Sequence, residues 1–208
     1  MVPNRVKFFL AGPVLELANP LLPGRPHRQV ADMVPLEVGR VLEICAGTGY
    51  LARMVARARP RAQIAALDVS PEMLAVGRRR AAVAGLGRIA FVEGDAGELP
   101  FADGHFDAVL AAYGLHELPT DVRARALGEV ARVLRPGGRL LAVDLDTPRQ
   151  PSRVFSAYIR WVEKPAAREV LGCGLTQQLE RAGFAVVRHV PAQARPVPFQ
   201  LVEAVSSG

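Results

Sequence analysis

The strongest constraint on the fold is a glycine loop that joins a short apolar segment to a helical one. Arg40–Ile44 has the length and the branched aliphatic residues of a buried strand, and Tyr50–Ala58 has helical spacing. Gly47-Thr48-Gly49 lies between them, where glycine lets the backbone turn tightly and lets a ligand approach closely. A strand, loop and helix in this order are typical of a doubly wound α/β sheet.

The rest of the chain repeats this alternation of short strands and longer helices. Ser70 is the predicted N-cap, with Pro71 in the first turn, of a helix that runs to about Ala84. Asp121 is predicted to cap a helix that ends at Leu134, before Pro136-Gly137-Gly138. Further strands are predicted at Ile64–Leu67, Ile89–Val92, Phe106–Ala112, Arg139–Asp144, Phe184–Val190 and Phe199–Val205, with further helices around Phe155–Trp161 and at Thr176–Ala182. This alternation predicts a mostly parallel sheet that is covered on both faces.

Composition narrows the class of protein. A chain of 208 residues, 50% of them hydrophobic, suits one domain with a full core. The net charge of +6 is carried almost wholly by arginine. That pattern fits either the scattered surface cations of a GC-rich genome or a basic face for an anionic substrate, nucleic acid or membrane lipid. Arg78-Arg79-Arg80 is the tightest cluster and has no interleaved aromatic residues, so no nucleic-acid partner is expected.

The cysteines and the N-terminus predict a cytoplasmic location. Cys45 and Cys173 are too few for a disulfide framework and lack metal-ligand spacing, which favours a reducing compartment. The apolar run Phe8–Leu15 follows two basic residues, but it is short and Pro13 interrupts it, so no signal peptide is expected. No apolar run approaches the ~20 residues of a membrane span.

Three acidic residues are associated with the ends of three successive predicted strands. Glu43 and Asp68 end the first two and Asp95 follows the third, so all three are expected at the sheet edge where ligands bind. The glycine loop by itself also fits a dinucleotide fingerprint. A carboxylate at Glu43 would repel a pyrophosphate but attract the ammonium group of an amino acid. Asp68 could accept two ribose hydroxyls and Asp95 an adenine amino group, which favours an adenosyl ligand that carries an ammonium group.

Several motifs complete the pattern and carry a family resemblance. They are Gly94-Asp95-Ala96-Gly97-Glu98-Leu99-Pro100-Phe101, Phe106-Asp107-Ala108-Val109, Tyr113-Gly114-Leu115-His116 and Arg132-Val133-Leu134-Arg135-Pro136-Gly137-Gly138-Arg139-Leu140. Over roughly residues 40–146 the chain resembles the class I S-adenosylmethionine-dependent methyltransferases, and within them most the ubiquinone/menaquinone biosynthesis C-methyltransferases. The resemblance implies a Rossmann-like seven-stranded sheet whose last strand is antiparallel, with S-adenosylmethionine as the cofactor.

The resemblance also implies where the cofactor binds. It places contacts at Glu43, Gly47, Gly49, Asp68, Asp95 and around Ala112-Tyr113. With their neighbours, the predicted contacts are Glu43, Ala46, Gly47, Thr48, Gly49, Asp68, Val69, Met73, Asp95, Ala96, Ala112 and Tyr113. The single predicted domain, 1–208, then divides into an N-terminal cap segment (1–35), a cofactor-binding core (36–146) and an acceptor-side insert with closing strands (147–208).

His116 is the candidate catalytic base. It follows the fourth strand, on the same edge as Asp95, and its unperturbed pKa lies near ~6.5. The alternative is a loop histidine without a catalytic role. The quinone family has Arg-Asn where this chain has His116-Glu117, and a Phe-Ser segment where it has residues 145–148, and both positions face the acceptor.

Other polar and aromatic residues near the acceptor side remain open. Asp144 and Asp146 end the fifth strand, and they would either orient an acceptor hydroxyl or end the strand in solvent. Tyr113 is expected to pack near the cofactor. The stripe Phe155, Tyr158 and Trp161 would be either core or a lid over an apolar acceptor. No metal site is expected, since the histidines at 27, 105 and 189 do not cluster with acids at ligand spacing.

The sequence therefore predicts a small-molecule methyltransferase. Its leading acceptor is a quinol-like or phenolic compound that is methylated on carbon. The alternatives are N- or O-methylation of a lipid head group, an amine or a secondary metabolite, an NAD-dependent oxidoreductase, and a cofactor-binding module without catalysis. The expected partner is the small-molecule acceptor, and peripheral membrane contact is expected if that acceptor is a lipid quinone. No oligomeric state is predicted.

Overall fold

The described part of the chain folds around one continuous sheet. The computed structural model describes residues 16–150, 153–161, 163, 165–194 and 197–206. Its strands are β1 (Arg40–Ile44), β2 (Gln63–Asp68), β3 (Ile89–Glu93), β4 (Phe106–Ala112), β5 (Leu134–Leu145), β6 (Phe184–Ala192) and β7 (Phe199–Ser206). They lie in the order β3-β2-β1-β4-β5-β7-β6, and every neighbouring pair is parallel except those of β7, which runs antiparallel to β5 and β6. The predicted mostly parallel sheet with an antiparallel last strand is confirmed.

Helices cover both faces of the sheet. They are α1 (Pro26–Met33), α2 (Tyr50–Ala58), α3 (Pro71–Val83), α4 (Thr120–Val133), α5 (Arg153–Trp161) and α6 (Gly174–Arg181), with 3-10 turns at Asn19–Leu21, Leu115–Glu117 and Pro165–Val170. Residues of α1, α2 and α3 pack with one set of alternate strand residues, which includes Val41. Residues of α4 and α6 pack with the other set, which includes Leu42. Both side chains of this adjacent pair are fully buried, as expected for a parallel strand between two helical layers.

Local signals account for many of the element boundaries. The bounds of β1, β4 and α2 are those predicted. The hydroxyl of Ser70 accepts a hydrogen bond from the backbone N–H of Met73 at 3.3 Å, so the predicted N-cap of α3 is confirmed. This helix ends just before Gly85, which has a φ of +68°.

Two predicted boundaries around α4 were wrong. The helix begins at Thr120 after Pro119, so Asp121 lies in its first turn and is not the cap. The fifth strand begins at Leu134, five residues before the predicted start at Arg139. Leu134 is buried and pairs with Phe106, so the chain passes directly from helix to strand. The Pro136-Gly137-Gly138 segment then lies within β5, where the pairing with β4 shifts register.

The acceptor-side insert contains the predicted helix. Phe155 is 6% exposed and packs with Leu145 and Ile159 in a small apolar cluster. The side chains of Tyr158 and Trp161, the other members of the predicted aromatic stripe, lie outside the described residues. None of the helices in the described ranges combines the length and the hydropathy that a bilayer span requires.

Candidate active site

The glycine loop takes a conformation that its sequence explains. Gly47 and Gly49 have φ angles of +53° and +64°, in the left-handed region that favours glycine. A Cβ atom on Gly49 would lie 2.7 Å from the Phe91 ring, so this position also lacks space for a side chain. Cys45 has a φ of +49° although it is not glycine. A Cβ atom on Gly114 would lie 2.4 Å from that of Cys45, so the loop packs directly against the chain after β4.

Asp68 connects the end of β2 to this loop. Its carboxylate accepts hydrogen bonds from the backbone N–H of Gly47 at 2.7 Å and of Ser70 at 2.9 Å. Burial raises the pKa of Asp68, and these N–H groups offset part of that rise. Each carboxylate oxygen has a second lone pair, so the contacts to the backbone leave acceptor capacity for a ligand hydroxyl.

Glu43 lies at the end of β1 and is directed at helix α2. It is 3% exposed and accepts a hydrogen bond from the backbone N–H of Ala52 at 2.7 Å. Burial raises the pKa of Glu43 to about 8, although the Ala52 N–H and the Arg53 guanidinium favour its charged form. The carboxyl group therefore satisfies a backbone donor near the start of α2, and its predicted contact with a ligand ammonium group stays a prediction.

The charges of four acidic side chains act on the Cys45 thiol. Burial raises the pKa of the Cys45 thiol well above its usual range, and the charges of Asp68, Asp144, Asp95 and Glu43 raise it further. The thiol therefore stays protonated, which argues against a nucleophilic role. The carboxyl groups of Asp68, Asp95 and Asp144 make this edge of the sheet a favourable place for a cationic ligand.

The remaining predicted contacts lie along the same edge. Asp95 is exposed and accepts a hydrogen bond from the backbone N–H of Gly97 at 2.8 Å, and the adjacent Ala96 is buried. Met73 is buried with its methyl group beside Gly47, whereas Val69 is 62% exposed. Ala46 and Thr48 are buried loop residues, and Ala112 and Tyr113 are half-buried at the end of β4.

The described part of the N-terminal cap segment, residues 16–35, contacts this loop. The Glu16 carboxylate accepts a hydrogen bond from the Thr48 hydroxyl. Its two oxygens also accept hydrogen bonds from Nη2 of Arg53, at 2.7 and 2.6 Å. Both side chains of the Glu16–Arg53 pair are at most 8% exposed. His27 packs its ring against Tyr50 and Tyr113, with centroid distances of 5.2 and 5.7 Å. Sequence reasoning missed Glu16, His27 and Arg53, because nothing local marks which distant residues they meet.

His116 has a buried acidic partner that its sequence neighbourhood does not reveal. Its Nδ1 atom lies 2.5 Å from Oδ1 of Asp144, and its backbone N–H donates to Oδ2 of the same carboxylate at 3.2 Å. The two residues are 5% and 0% exposed. Burial by itself would lower the pKa of His116, but the Asp144 carboxylate outweighs it, with help from Glu163 and Glu117, and holds that pKa above 6.5.

Two further acids, Glu163 and Glu117, lie close to this imidazole. Nε2 is 3.6 Å from a carboxylate oxygen of Glu163, whose side chain is 6% exposed. Three potential metal-ligand atoms, one each from His116, Glu117 and Glu163, lie within 4.8 Å of one another. Such a group could hold a metal ion. Sequence spacing did not predict this grouping, since residue 163 comes from the insert.

Arg123 holds the turn that carries His116. It is fully buried in α4 and donates hydrogen bonds to the carbonyl oxygens of Leu115 and Leu118 at 3.2 Å and of Ala166 at 3.3 Å. It also pairs with Glu169 in the 3-10 turn Pro165–Val170. This one guanidinium therefore fixes the His116 turn to the acceptor-side insert.

A β3-β2-β1-β4-β5-β7-β6 sheet with a glycine loop and acids at its carboxyl edge defines an S-adenosylmethionine-dependent methyltransferase of class I. The loop backbone and the surrounding carboxyl groups fit a cofactor that carries a sulfonium and an ammonium group. A methyltransferase-domain family model matches residues 41–138 of the chain.

Comparison with known proteins narrows the class. A demethylmenaquinone methyltransferase from Thermus thermophilus is 44% identical over 121 residues, which span 58% of this chain and 53% of that protein. A ubiquinone/menaquinone biosynthesis C-methyltransferase from Methylobacterium nodulans is 35% identical over 202 residues, 84% of this chain and 79% of that protein. The chain belongs to the family of these methyltransferases.

A crystal structure of an S-adenosylmethionine-dependent methyltransferase from Aquifex aeolicus, 21% identical, has the same fold, with a TM-score of 0.72 over 98% of this chain and 99% of that one.

Proposed function

We propose that this enzyme transfers a methyl group to a ring carbon of a quinol-like or phenolic small molecule, with His116 as the base. The single observation that carries the proposal is the buried His116–Asp144 pair at the carboxyl edge of β4 and β5. The names of the relatives from Thermus thermophilus and Methylobacterium nodulans, which state quinone methylation for those proteins, support the acceptor class.

The cofactor would lie along the ends of β1, β2 and β4. Gly47 and Gly49 let the backbone approach it, and Asp68 would accept ribose hydroxyls. Asp95, with the Ala96 N–H beside it, would contact the adenine. Because burial raises the pKa of Glu43 to about 8, this carboxyl group would interact with the ammonium group chiefly when the bound cation favours its ionised form. When bound, S-adenosylmethionine supplies an electrophilic methyl group, whose transfer releases the neutral thioether.

His116 would remove the acceptor's hydroxyl proton. Asp144 accepts the Nδ1–H hydrogen bond, which leaves the Nε2 lone pair as the proton acceptor. The proton moves from the hydroxyl to Nε2. The ring carbon ortho to the resulting oxyanion then becomes electron-rich enough to take the methyl group. The proton on that ring carbon is then released to solvent, and the proton on Nε2 returns to the oxygen, so the product is again an aromatic hydroxyl compound and the imidazole is neutral. A positioned base of this kind contributes about 10²–10⁴-fold to a rate.

His116 occupies a position where the quinone family has arginine, so this chain departs from the family pattern at a position expected to face the acceptor. The Asp144 carboxylate also makes the imidazole more basic than a free histidine, as the raised pKa of His116 indicates. This basicity favours an acceptor with a hydroxyl proton to lose. An amine acceptor that is already neutral would need no such base.

The test is methyl transfer by the purified protein to a reduced demethylmenaquinone analogue, with mass and NMR analysis of the product. We expect a C-methyl product, and we expect His116→Ala to lose about 10²–10⁴-fold in turnover while its affinity for S-adenosylhomocysteine is unchanged. His105→Ala is the matched control, because His105 packs between Phe101 and Phe106 and has no acidic partner among the described residues. Near-normal turnover of His116→Ala would remove this residue from the mechanism, and an O- or N-methyl product would refute the acceptor class.

A further inference from the structure

A cavity lies between the N-terminal cap segment and helix α2. His116 is not one of the residues that line it. It has a volume of about 160 Å³. The cap contributes Asn19, Arg25, His27 and Arg28 to its wall, and Tyr50 and Met54 of α2 complete it. Tyr50 directly follows Gly49, so the cavity adjoins the glycine loop without sharing the residues assigned to the cofactor.

The charge of the cavity is positive. None of the described side chains that line it is a carboxylate. Arg25 has no ion-pair partner among the described residues. Arg28 pairs with Asp32 at 3.0 Å, but both side chains are more than 60% exposed, so this pair costs little to rearrange. Two arginines therefore line a small space with no carboxylate among its described lining residues.

His27 adds a donor whose direction follows from its surroundings. The residue is 7% exposed, and its Nδ1 atom is buried without a hydrogen-bond partner among the described residues. A buried N–H without an acceptor is rarer in proteins than an unsatisfied acceptor, so the proton belongs on Nε2. Burial lowers the pKa of His27 to about 4, and the ring is therefore neutral near pH 7. In this tautomer His27, which lines the cavity, carries a neutral N–H donor on Nε2.

These groups together select a ligand with negative charge and oxygen acceptors. Guanidinium groups bind carboxylates and phosphates through paired N–H donors, and the imidazole N–H and the Asn19 amide add neutral donors. A cation would be repelled by both arginines, and an apolar group would leave the donors unsatisfied.

We propose that this cavity binds a small oxyanion, a carboxylate or a phosphate, through Arg25, Arg28 and the Nε2–H of His27. The oxyanion could be a group on the methyl acceptor or a free anion in solution, and the chemistry of recognition is the same. The site goes beyond the proposed function, because it does not involve His116 and does not depend on methyl transfer.

Binding is tested by titrating the full-length protein with inorganic phosphate near pH 7 and following the imidazole ring resonances of its four histidines by NMR. We expect a saturable shift of the His27 resonance, with those of His105 and His189 unchanged. Sodium chloride at matched ionic strength is the control for non-specific effects. The absence of a saturable His27 shift up to ~50 mM phosphate would overturn the proposal.

Variants test the donors. Arg25→Ala and Arg28→Ala each remove an exposed side chain and should weaken phosphate binding at least about tenfold. Arg61→Ala is the matched control, because Arg61 is exposed and lies outside the cavity. Equal affinities for Arg25→Ala and Arg61→Ala would refute the assigned donors.

Two further titrations identify the source of the anion. Benzoate that binds more tightly than phosphate and competes with it would assign the site to a carboxylate on an aromatic acceptor, whereas tighter phosphate binding would assign it to a phosphate. S-adenosylhomocysteine should bind without displacing phosphate. Displacement would mean that the cavity holds the carboxylate of the cofactor, and the separate site would be refuted.

Discussion

The Nδ1 atom of His116 lies 2.5 Å from Oδ1 of Asp144, and neither residue is more than 5% exposed. This pair joins a turn after β4 to the end of β5. It gives the imidazole a defined tautomer and a basic Nε2 atom. The first two predictions follow from this contact.

Replacement of Asp144 by asparagine should lower turnover while the cofactor still binds. An amide keeps a hydrogen-bonding group near Nδ1 but removes the charge that stabilises the imidazolium. We expect at least a tenfold loss in kcat, smaller than for His116→Ala, with unchanged affinity for S-adenosylhomocysteine by calorimetry. Asp146→Asn is the matched control, because Asp146 is equally buried but binds the backbone N–H groups of Thr147 and Gly172. Equal losses in the two variants would indicate a structural effect only.

The rate should rise with pH through the pKa of His116. This pKa is held above 6.5 in the folded protein, and the base acts only when it is neutral, so activity is low below that pKa and reaches a plateau above it. In Asp144→Asn the raising charge is gone and burial remains, so the rise should move to lower pH. The measurement is kcat/KM between pH 5 and 9, and a profile that is flat in the wild-type protein would contradict the assignment.

The same titration affects stability in the opposite direction. Because the folded pKa of His116 is raised, the protonated His116–Asp144 pair stabilises the fold below about pH 6.5, the ordinary histidine value. That contribution is lost as pH rises through the folded pKa. Denaturant unfolding of the wild-type protein and His116→Gln at pH 6 and pH 9 should therefore differ more at pH 6. A difference that does not change with pH would show that the pair carries no extra proton.

Removal of Asp68 should weaken cofactor binding. Asp68→Ala deletes the carboxylate proposed to accept the ribose hydroxyls, and we expect at least a tenfold rise in Kd for S-adenosylhomocysteine, the scale of a lost charge-assisted contact. Because Asp68 also holds the Gly47 and Ser70 N–H groups, thermal unfolding must show that the variant is folded. Asp121→Ala, an exposed carboxylate on α4, is the control. An unchanged calorimetric affinity would refute the ribose assignment.

Metal removal should leave the activity unchanged. His116, Glu117 and Glu163 could hold a cation, but a metal ion on Nε2 would occupy the lone pair that accepts the proton. We expect equal kcat before and after dialysis against EDTA, and inhibition by added Zn²⁺. Loss of activity on EDTA treatment, restored by one divalent metal, would make His116 a ligand and not a base.

The fold could be predicted from local patterns. Strand β1, the glycine loop and helix α2 are consecutive in the chain, so residue type and spacing are sufficient to place them. The Ser70 cap is local in the same way, because its acceptor and donor are three residues apart. The start of β5 was wrong because Leu134 is drawn into the sheet by pairing with Phe106, a contact that the Pro-Gly-Gly motif does not reveal.

From the sequence alone, only the site residues that lie at or just after strand ends could be predicted. Sequence reasoning placed Asp68, Asp95 and His116 on one edge, since parallel strands end together. It named Asp144 as a candidate but did not pair it with His116. The β4–β5 register, which sets Ala112 opposite Val143, brings the two turns together. Buried Arg123 resembled an ordinary surface arginine of a helix in the sequence.

The sequence by itself determined the parallel α/β sheet, the glycine loop and the acidic edge, because these depend on neighbours in the chain and on the repeat of strands and helices. Only the tertiary structure decided that Asp144 faces His116, that Glu16 binds Arg53 beside the loop, and that His27 is buried against α2. Such contacts join residues far apart in the chain. They depend on strand register and side-chain direction, and both are determined by how the whole core packs.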